Sequence, residues 1–188
     1  FEMAPEALLP YLKRNAEKNA TAVSVTQKIA ALVRRTDEAR FALCTESLRA
    51  AKLPAGYALE IFPLSADEPY AKQVNGILEQ TSAKIKLFVN DDVCLTSPLA
   101  IEQMLEIFRE EDVGMAGFLG SRSLPVSGNL LEAPDVWGAV RMPMKGSLEE
   151  IRFGKAATHE FTTGVRFLCP SFFATQVDIP WNEDYEKQ

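Results

Sequence analysis

Three polar side chains, those of Asn90, Asp91 and Asp92, come directly after a largely apolar stretch at residues 85–89. The apolar stretch predicts a strand buried on both faces, which is typical of a parallel sheet covered by helices. Ligands bind outside the carboxyl ends of such strands, where these three side chains are expected. Adjacent carboxylates repel each other unless a positive charge is near, and a divalent cation is the usual partner. A solvated turn is the alternative, because Asn and Asp are ordinary turn residues, and both interpretations stay open on these residues alone.

Other catalytic motifs are weak or absent in the sequence. Gly114, Gly117 and Gly120 are spaced by three, but the first lies inside a predicted strand, so they do not form a phosphate-binding loop that opens a helix. His159 is the one histidine, and nothing in the sequence nominates a nucleophile or an orienting acid to work with it. The three cysteines are far apart, which argues against a metal motif and indicates reduced thiols in a cytosolic protein.

Composition excludes some classes of protein. The chain has 188 residues, enough for one domain with a sizeable core. Its 26 acidic residues outnumber the 20 basic ones, and the resulting net charge of −6 argues against a general nucleic-acid binder, which needs a basic stripe. No apolar run is long enough to span a membrane, so we expect a cytoplasmic protein without a membrane span.

The order of elements predicts a doubly wound, mainly parallel α/β sheet with flanking helices. Residues 1–40 form an N-terminal helical segment in this prediction, because apolar residues recur at helical spacing, at Val25, Ile29, Leu32 and Val33. We expect this segment to pack on the domain or on a partner, including a second copy of the chain. Residues 41–188 then form the main domain.

Strands are predicted at 41–45, 57–64 and 84–90, with helices between them. Ser65 and Glu68 suit a capping box at the start of the second helix, and Ser97-Pro98 suits the start of the next. Residues 121–160 are rich in Gly and Pro and predict a long irregular binding loop beside the cleft.

The order of these motifs resembles family 2-type glycosyltransferases, in particular a bacterial branch described as glycosyltransferase-like. The resemblance covers roughly residues 40–184. It rests on the acidic stretch at 87–93 with the following Ser97-Pro98, the turn at 54–57, Ser65, the helix segment Asn75-Gly76-Ile77, the stretch 113–120 and the stretch 172–181.

The resemblance implies a GT-A-like fold that binds a nucleotide-diphosphate sugar, a UDP- or GDP-sugar, with Mg²⁺ or Mn²⁺. Asp92 falls on the position that holds the cation, and Asn90 and Asp91 fall on the first and middle positions of the same motif. The resemblance also implies further contacts with the donor. Its nucleobase falls on Thr45 and Glu46, its nucleobase or ribose on Ser65 and Asp67, and Asn75 falls near the donor site. The late acids Glu183 and Asp184 are the candidates for the catalytic base, and the acceptor is unknown.

Departures from the family's pattern leave alternatives open. Asn90 stands where an acid is common, and the family's base is expected beyond Gln188, so either the chain is truncated at its C-terminus or its catalysis is weak or absent. A catalytically silent binding or assembly domain is therefore one rival. A nucleotidyltransferase is another, but it needs a Gly-rich, basic loop after the first strand, and Thr45-Glu46-Ser47 is not such a loop.

Overall fold

The structure, a computed structural model, describes residues 27–154 and 164–184. Its elements in chain order are β1 (Gln27–Arg35), α1 (Glu38–Arg49), β2 (Tyr57–Ser65), α2 (Tyr70–Gln80), β3 (Ile85–Asn90), α3 (Ala100–Ile107), β4 (Met115–Gly117), β5 (Leu119–Ser121), a 3-10 turn (Leu130–Glu132), β6 (Val136–Met144), β7 (Ser147–Phe153), β8 (Phe167–Leu168) and β9 (Phe172–Thr175). The larger sheet has five strands in the order β2-β1-β3-β9-β4. The predicted α/β class is confirmed.

The larger sheet is mixed. β1 pairs in parallel with β2 on one side and with β3 on the other, as expected of alternating strands and helices. β9 pairs antiparallel with both β3 and β4. One face of the sheet is covered by α1 and α3, and the other by α2 with the C-terminal segment around Trp181. Since β3 lies between these layers, its residues 85–89 are all buried.

The prediction of a helix at the end of the N-terminal segment is wrong for residues 27–35, which form the strand β1. Residues 29–33 are all buried, so the apolar run faces helices on both sides of the sheet. Strand β1 therefore lies inside the main domain and presents no free face for a partner. The rest of the predicted helical segment, residues 1–26, lies outside the described residues.

The strand predicted at 41–45 is also wrong, because these residues lie within the helix α1. Asp37 caps this helix by accepting a hydrogen bond from the backbone N–H of Arg40 at 2.9 Å. Glu38 in the first turn and Arg49 in the last turn complement the helix dipole. The domain boundary predicted at residue 40 thus falls inside a helix that packs on the sheet.

The next elements agree with their predicted positions. Strands β2 and β3 and helix α2 lie where expected, although β1 separates the two strands. Helix α2 begins after Pro69 instead of at the predicted capping box. The Ser65 hydroxyl accepts a hydrogen bond from the backbone N–H of Asp67 at 3.2 Å and so closes a turn before the helix. Helix α3 and its C-terminal cap residue bury four apolar side chains, as a helix with one apolar face does: Ile101, Met104, Leu105 and Phe108.

Part of the region predicted as a long irregular loop forms strands of a second sheet, whereas residues 122–135 hold no strand. Strands β6 and β7 form an antiparallel hairpin, and this second sheet has the strand order β7-β6-β5-β8. The turn between them uses Lys145 and Gly146, both at positive φ, as a two-residue hairpin turn requires. The expectation of irregular backbone is therefore wrong for residues 136–153, and His159 lies outside the described residues.

Candidate functional site

A cleft lies where the carboxyl ends of β1 and β3 meet. Arg34 and Asn90 are partners in the parallel register of these strands, so the chain leaves both strands at the same edge of the sheet. The cavity there has a volume of about 170 Å³ and is lined by Arg34, Thr36, Arg40, Asn90, Asp91 and Asp92. The predicted acidic stretch thus faces the segment that connects β1 to α1.

Asp91 joins the two sides of this cleft. Its buried carboxylate accepts hydrogen bonds from the backbone N–H of Thr36 at 2.5 Å, from the backbone N–H of Asp37 at 2.9 Å and from the Thr36 hydroxyl at 2.9 Å. Burial alone would raise the pKa of this carboxyl, but these donors and the charge of Arg40 outweigh it and lower the pKa below the usual range. Asp91 is therefore ionised and already satisfied by the protein.

Asp92 differs from its neighbour in exposure. It faces solvent at the mouth of the cavity, as expected for a residue that follows a buried one at the end of a strand. Among residues 27–154 and 164–184, no group forms a hydrogen bond or an ion pair with its carboxylate. Asp92 is thus the carboxylate of the pair that is available to a ligand.

Arg34 and Arg40 line the same cavity and were missed at the sequence level. The guanidinium carbon of Arg34 lies 5.9 Å from the centre of the Tyr70 ring. Arg40 donates a long hydrogen bond from Nη2 to the Thr36 hydroxyl at 3.4 Å. Both were placed in the predicted helical segment, so no sequence signal connected them with the acidic stretch. Recognition of β1 as a strand would have placed Arg34 at its carboxyl end and Arg40 shortly after it.

Asn75 and Glu183 belong to a contact between α2 and the C-terminal segment. The Asn75 side chain donates to the backbone carbonyl of Trp181 at 3.0 Å and accepts from the backbone N–H of Trp181 at 2.8 Å. It also donates to the Glu183 carboxylate at 2.9 Å. Trp181 in turn packs edge-on against Tyr70, with ring centres 5.3 Å apart. Asn75 therefore fixes the path of this segment across α2.

The comparison with known families decides what this fold belongs to. A model of the glycosyltransferase-like family matches residues 30–188, which is most of the chain. The chain belongs to the glycosyltransferase-like family. The resemblance to family 2-type glycosyltransferases is thereby confirmed, and the match begins inside β1, in agreement with the place of that strand in the domain. No curated protein matches the chain.

Two of the predicted contacts with the sugar nucleotide, Thr45 and Glu46, do not lie at a strand end. They are predicted to contact the nucleobase because the sequence placed them at the end of the first strand. That place is taken by Thr36 and Asp37, whereas Thr45 is buried in α1 and donates from its hydroxyl to the carbonyl of Phe41 at 2.9 Å. Glu46 is exposed on the same helix. The position at a strand end, on which the predicted nucleobase contact of these two residues depended, is therefore not theirs.

Ser65 and Asp67 lie at the sheet edge where the glycosyltransferase-like cleft opens. Ser65 is the last residue of β2 and pairs with Arg35 of β1. Its backbone is held by Gln73, which accepts from the Ser65 N–H at 2.8 Å and donates to its carbonyl at 2.9 Å. Asp67 follows in an exposed turn. The carboxyl ends of β1, β2 and β3 thus lie at one edge of the sheet, with β1 in the place expected for a strand at 41–45, and Ser65 and Asp67 do not line the cavity itself.

The acids of this glycosyltransferase-like domain fit a cation only with help from a ligand. Among the described residues, no group of three or more His, Cys, Asp or Glu side chains is arranged to hold a metal ion. Mg²⁺ and Mn²⁺ accept one or two carboxylates when phosphate oxygens and water complete their coordination. Asp92, exposed at the cavity, matches that requirement. The late acids Glu183 and Asp184 are exposed and do not line this cavity.

The described part of the chain has no helix long and apolar enough to cross a membrane.

Proposed function

We propose that the cleft binds a nucleotide-diphosphate sugar together with Mg²⁺ or Mn²⁺, and that the domain transfers the sugar to an acceptor. The observation that supports this most is the division of the acidic pair. The Asp91 carboxylate accepts three hydrogen bonds from the protein, whereas Asp92 is exposed to solvent at the cavity. A solvated turn does not need a buried, ionised neighbour to fix its direction.

The roles of the residues follow from this arrangement. Asp92 supplies the anionic oxygen for the cation, and Asn90 adds a neutral oxygen beside it. When bound, the cation neutralises negative charge on the departing diphosphate. Transfer forms a bond between the acceptor oxygen and the sugar carbon, breaks the bond from that carbon to the phosphate oxygen, and releases the acceptor's proton. Glu183 or Asp184 is proposed to take that proton, with Asn75 orienting Glu183 at 2.9 Å. The reaction is proposed to take place in the cytoplasm.

Calorimetric titration tests donor binding directly. UDP- and GDP-sugars are titrated with Mn²⁺, with Mg²⁺ and in EDTA, and we expect binding that requires the metal. Asp92→Asn keeps the shape of the side chain but removes its charge, so it should weaken metal-dependent binding by about 30-fold, the equivalent of one charged contact of about 2 kcal/mol. Asp112→Asn, at an exposed turn away from the cavity, is the matched control. Equal binding by the wild type and Asp92→Asn would reduce the acidic stretch to a solvated turn.

A catalytically silent binding domain is the second candidate. It is favoured by the neutral Asn90 within the acidic stretch and by the place of Glu183 and Asp184 outside the cavity lining. Release of nucleoside diphosphate from a bound donor separates the two functions. Turnover that is lost in Glu183→Gln or Asp184→Asn supports a transferase, whereas metal-dependent binding without any release supports a binding domain.

A further inference from the structure

The cavity that Asp92 lines is also lined by two arginines, Arg34 and Arg40. Arg34 is the next-to-last residue of β1, and Arg40 lies in the first turn of α1. Alternation along the strand separates Arg34 from Arg35, which points away and pairs with Glu38 at 3.5 Å. Arg34 and Arg40 instead line one cavity. The strand end and the helix start therefore bring two guanidinium groups to the same place.

Neither arginine is committed to a carboxylate. Within the part of the chain that the structure describes, Arg34 has no ion pair, and its partner is the face of the Tyr70 ring at 5.9 Å. Arg40 lies 4.0 Å from Asp37, whereas a committed pair such as Arg109 and Glu106 is at 2.8 Å. A ring face attracts the plane of a guanidinium but leaves the N–H donors at its edge available.

The Tyr70 ring beside Arg34 is itself held by other side chains. Tyr70 contacts Trp181 edge-on at 5.3 Å between ring centres, and Trp181 is held by Asn75 through two hydrogen bonds. The ring beside Arg34 is thus part of a packed aromatic cluster, which gives the exposed guanidinium a fixed neighbour. Available guanidinium donors beside a fixed ring suit a bidentate contact with phosphate oxygens.

The charges of the cleft point to the same ligand. The two arginines balance the formal charge of the two adjacent aspartates, so the cavity lining is neutral overall although it holds two carboxylates. The carboxylate of Asp91 is already paired with protein donors, and among the described residues neither arginine forms a close ion pair, so the guanidinium groups stay available to an anion. A diphosphate that bridges a nucleoside and a sugar carries two negative charges. After the sugar leaves, the diphosphate carries more negative charge, and the contribution of the arginines to its binding is larger.

We propose that Arg34 and Arg40 form an anion subsite for the diphosphate, so that the cleft holds a nucleoside diphosphate partly without metal. This inference rests on the proposed function, because it takes the ligand to be the donor and its nucleoside diphosphate product. The product, with its greater charge, binds this subsite more tightly than the donor does. Arg34 and Arg40 are thus phosphate-binding residues, and Tyr70 is a positioning residue for Arg34.

Binding of UDP, GDP and inorganic pyrophosphate to the whole chain, in EDTA and in Mn²⁺, tests the subsite. Arg34→Gln and Arg40→Gln should each weaken nucleoside diphosphate binding by about tenfold in both conditions, as expected when a charged hydrogen bond is lost. Arg34→Lys keeps the charge but not the planar fork, so it should recover only part of that loss. Arg49→Gln, in the last turn of the same helix, is the matched control and should bind as the wild type does.

The outcomes separate this inference from the proposed function. If donor sugars bind with Mn²⁺ and depend on Asp92, but Arg34→Gln and Arg40→Gln bind nucleoside diphosphate as the wild type does, the subsite is refuted and the proposed function stands. If pyrophosphate binds in EDTA and loses affinity in both arginine variants, while no sugar nucleotide binds, the subsite is supported and the proposed function fails. If the wild type binds none of these probes, both are refuted.

Discussion

Replacing Asp91 by Asn tests whether this carboxylate holds the first and third strands of the sheet together. The change is isosteric, so it removes charge without leaving a cavity. One oxygen, Oδ2, accepts both backbone N–H groups, those of Thr36 at 2.5 Å and of Asp37 at 2.9 Å. An Asn side chain can still accept these two bonds through its carbonyl and can donate to the Thr36 hydroxyl. The expected loss is therefore the charge assistance of the two backbone bonds.

That loss can be given a magnitude. Hydrogen bonds to charged groups contribute about 1.5–3 kcal/mol and neutral ones about 0.5–1.5 kcal/mol, so two weakened bonds cost about 2 kcal/mol of the free energy of unfolding. For a chain of this size, the midpoint of thermal unfolding should fall by about 4–8 °C. The repulsion between two adjacent like charges would by itself predict unchanged or higher stability when one of them is removed. The three donors around Asp91 reverse that expectation.

The pH dependence gives the sign of the effect. Because the pKa of Asp91 is lowered from 3.8 in the folded protein, folding is favoured by the ionised carboxylate. This stabilisation is fully present above the ordinary pKa of 3.8 and is lost as the pH falls through the lower folded pKa. Urea unfolding should therefore show the full difference between wild type and Asp91→Asn at neutral pH and a shrinking difference below about pH 4.

The adjacent residue provides the control. Asp92→Asn makes the same chemical change at an exposed site, so its free energy of unfolding should stay within about 0.5 kcal/mol of the wild type. If Asp91→Asn unfolds at the wild-type urea concentration at pH 7, the hydrogen bonds from Thr36 and Asp37 do not stabilise the fold as argued.

Two further predictions concern the C-terminal segment and the thiols. Asn75→Ala removes the acceptor for the Trp181 backbone N–H, so amide exchange at Trp181 should accelerate and the free energy of unfolding should fall by about 2 kcal/mol. Lys72→Ala, at an exposed position on the same helix, should change neither quantity. Unchanged exchange at Trp181 in Asn75→Ala would contradict the contact. Burial, together with nearby acidic groups, raises the pKa of the Cys44 thiol to about 12, whereas Cys94 is exposed. Iodoacetamide at pH 8 should therefore modify Cys94 and spare Cys44 by mass spectrometry, and equal labelling of both in the folded protein would refute this assignment.

The sequence was most informative where burial follows one clear period. Strand β3 and helices α2 and α3 were predicted because their apolar residues match a fully buried strand or one helical face. Strand β1 fails this test, since its apolar residues at 29–33 are continuous and also fit a helical spacing. Periodicity cannot separate a central strand from a buried helix in such a run.

That one ambiguity displaced the prediction of the donor contacts. Once residues 27–35 were assigned to a helix, the next apolar residues, 41–45, became the first strand, and Thr45 and Glu46 became its end. The sequence marks the start of the helix α1 only weakly. Asp37 is its N-cap, but Arg40 stands three residues later where a capping box has Glu or Gln. Asp92 was unaffected because its position depends on β3 alone.

Contacts between distant parts of the chain were beyond any local pattern. The bonds from Asp91 to Thr36 and from Asn75 to Trp181 join residues 55 and 106 positions apart. Each depends on strand order, since β1 lies beside β3 and the C-terminal segment crosses α2. A sequence without its topology gives the residue types of such pairs but not the pairing.

The contact made by Asp91 also links stability to the geometry of the cleft. The same Thr36 that donates to Asp91 accepts the hydrogen bond from Arg40 at 3.4 Å, and the charge of Arg40 helps to keep Asp91 ionised. The segment between β1 and α1 is therefore fixed to the end of β3 beside the cavity that Arg40 and Asp92 both line. If the cleft binds a ligand as proposed, that ligand needs a constant separation between its two sides. Asp91 would then contribute to binding through the position of Arg40, although its own oxygens are already occupied by protein donors.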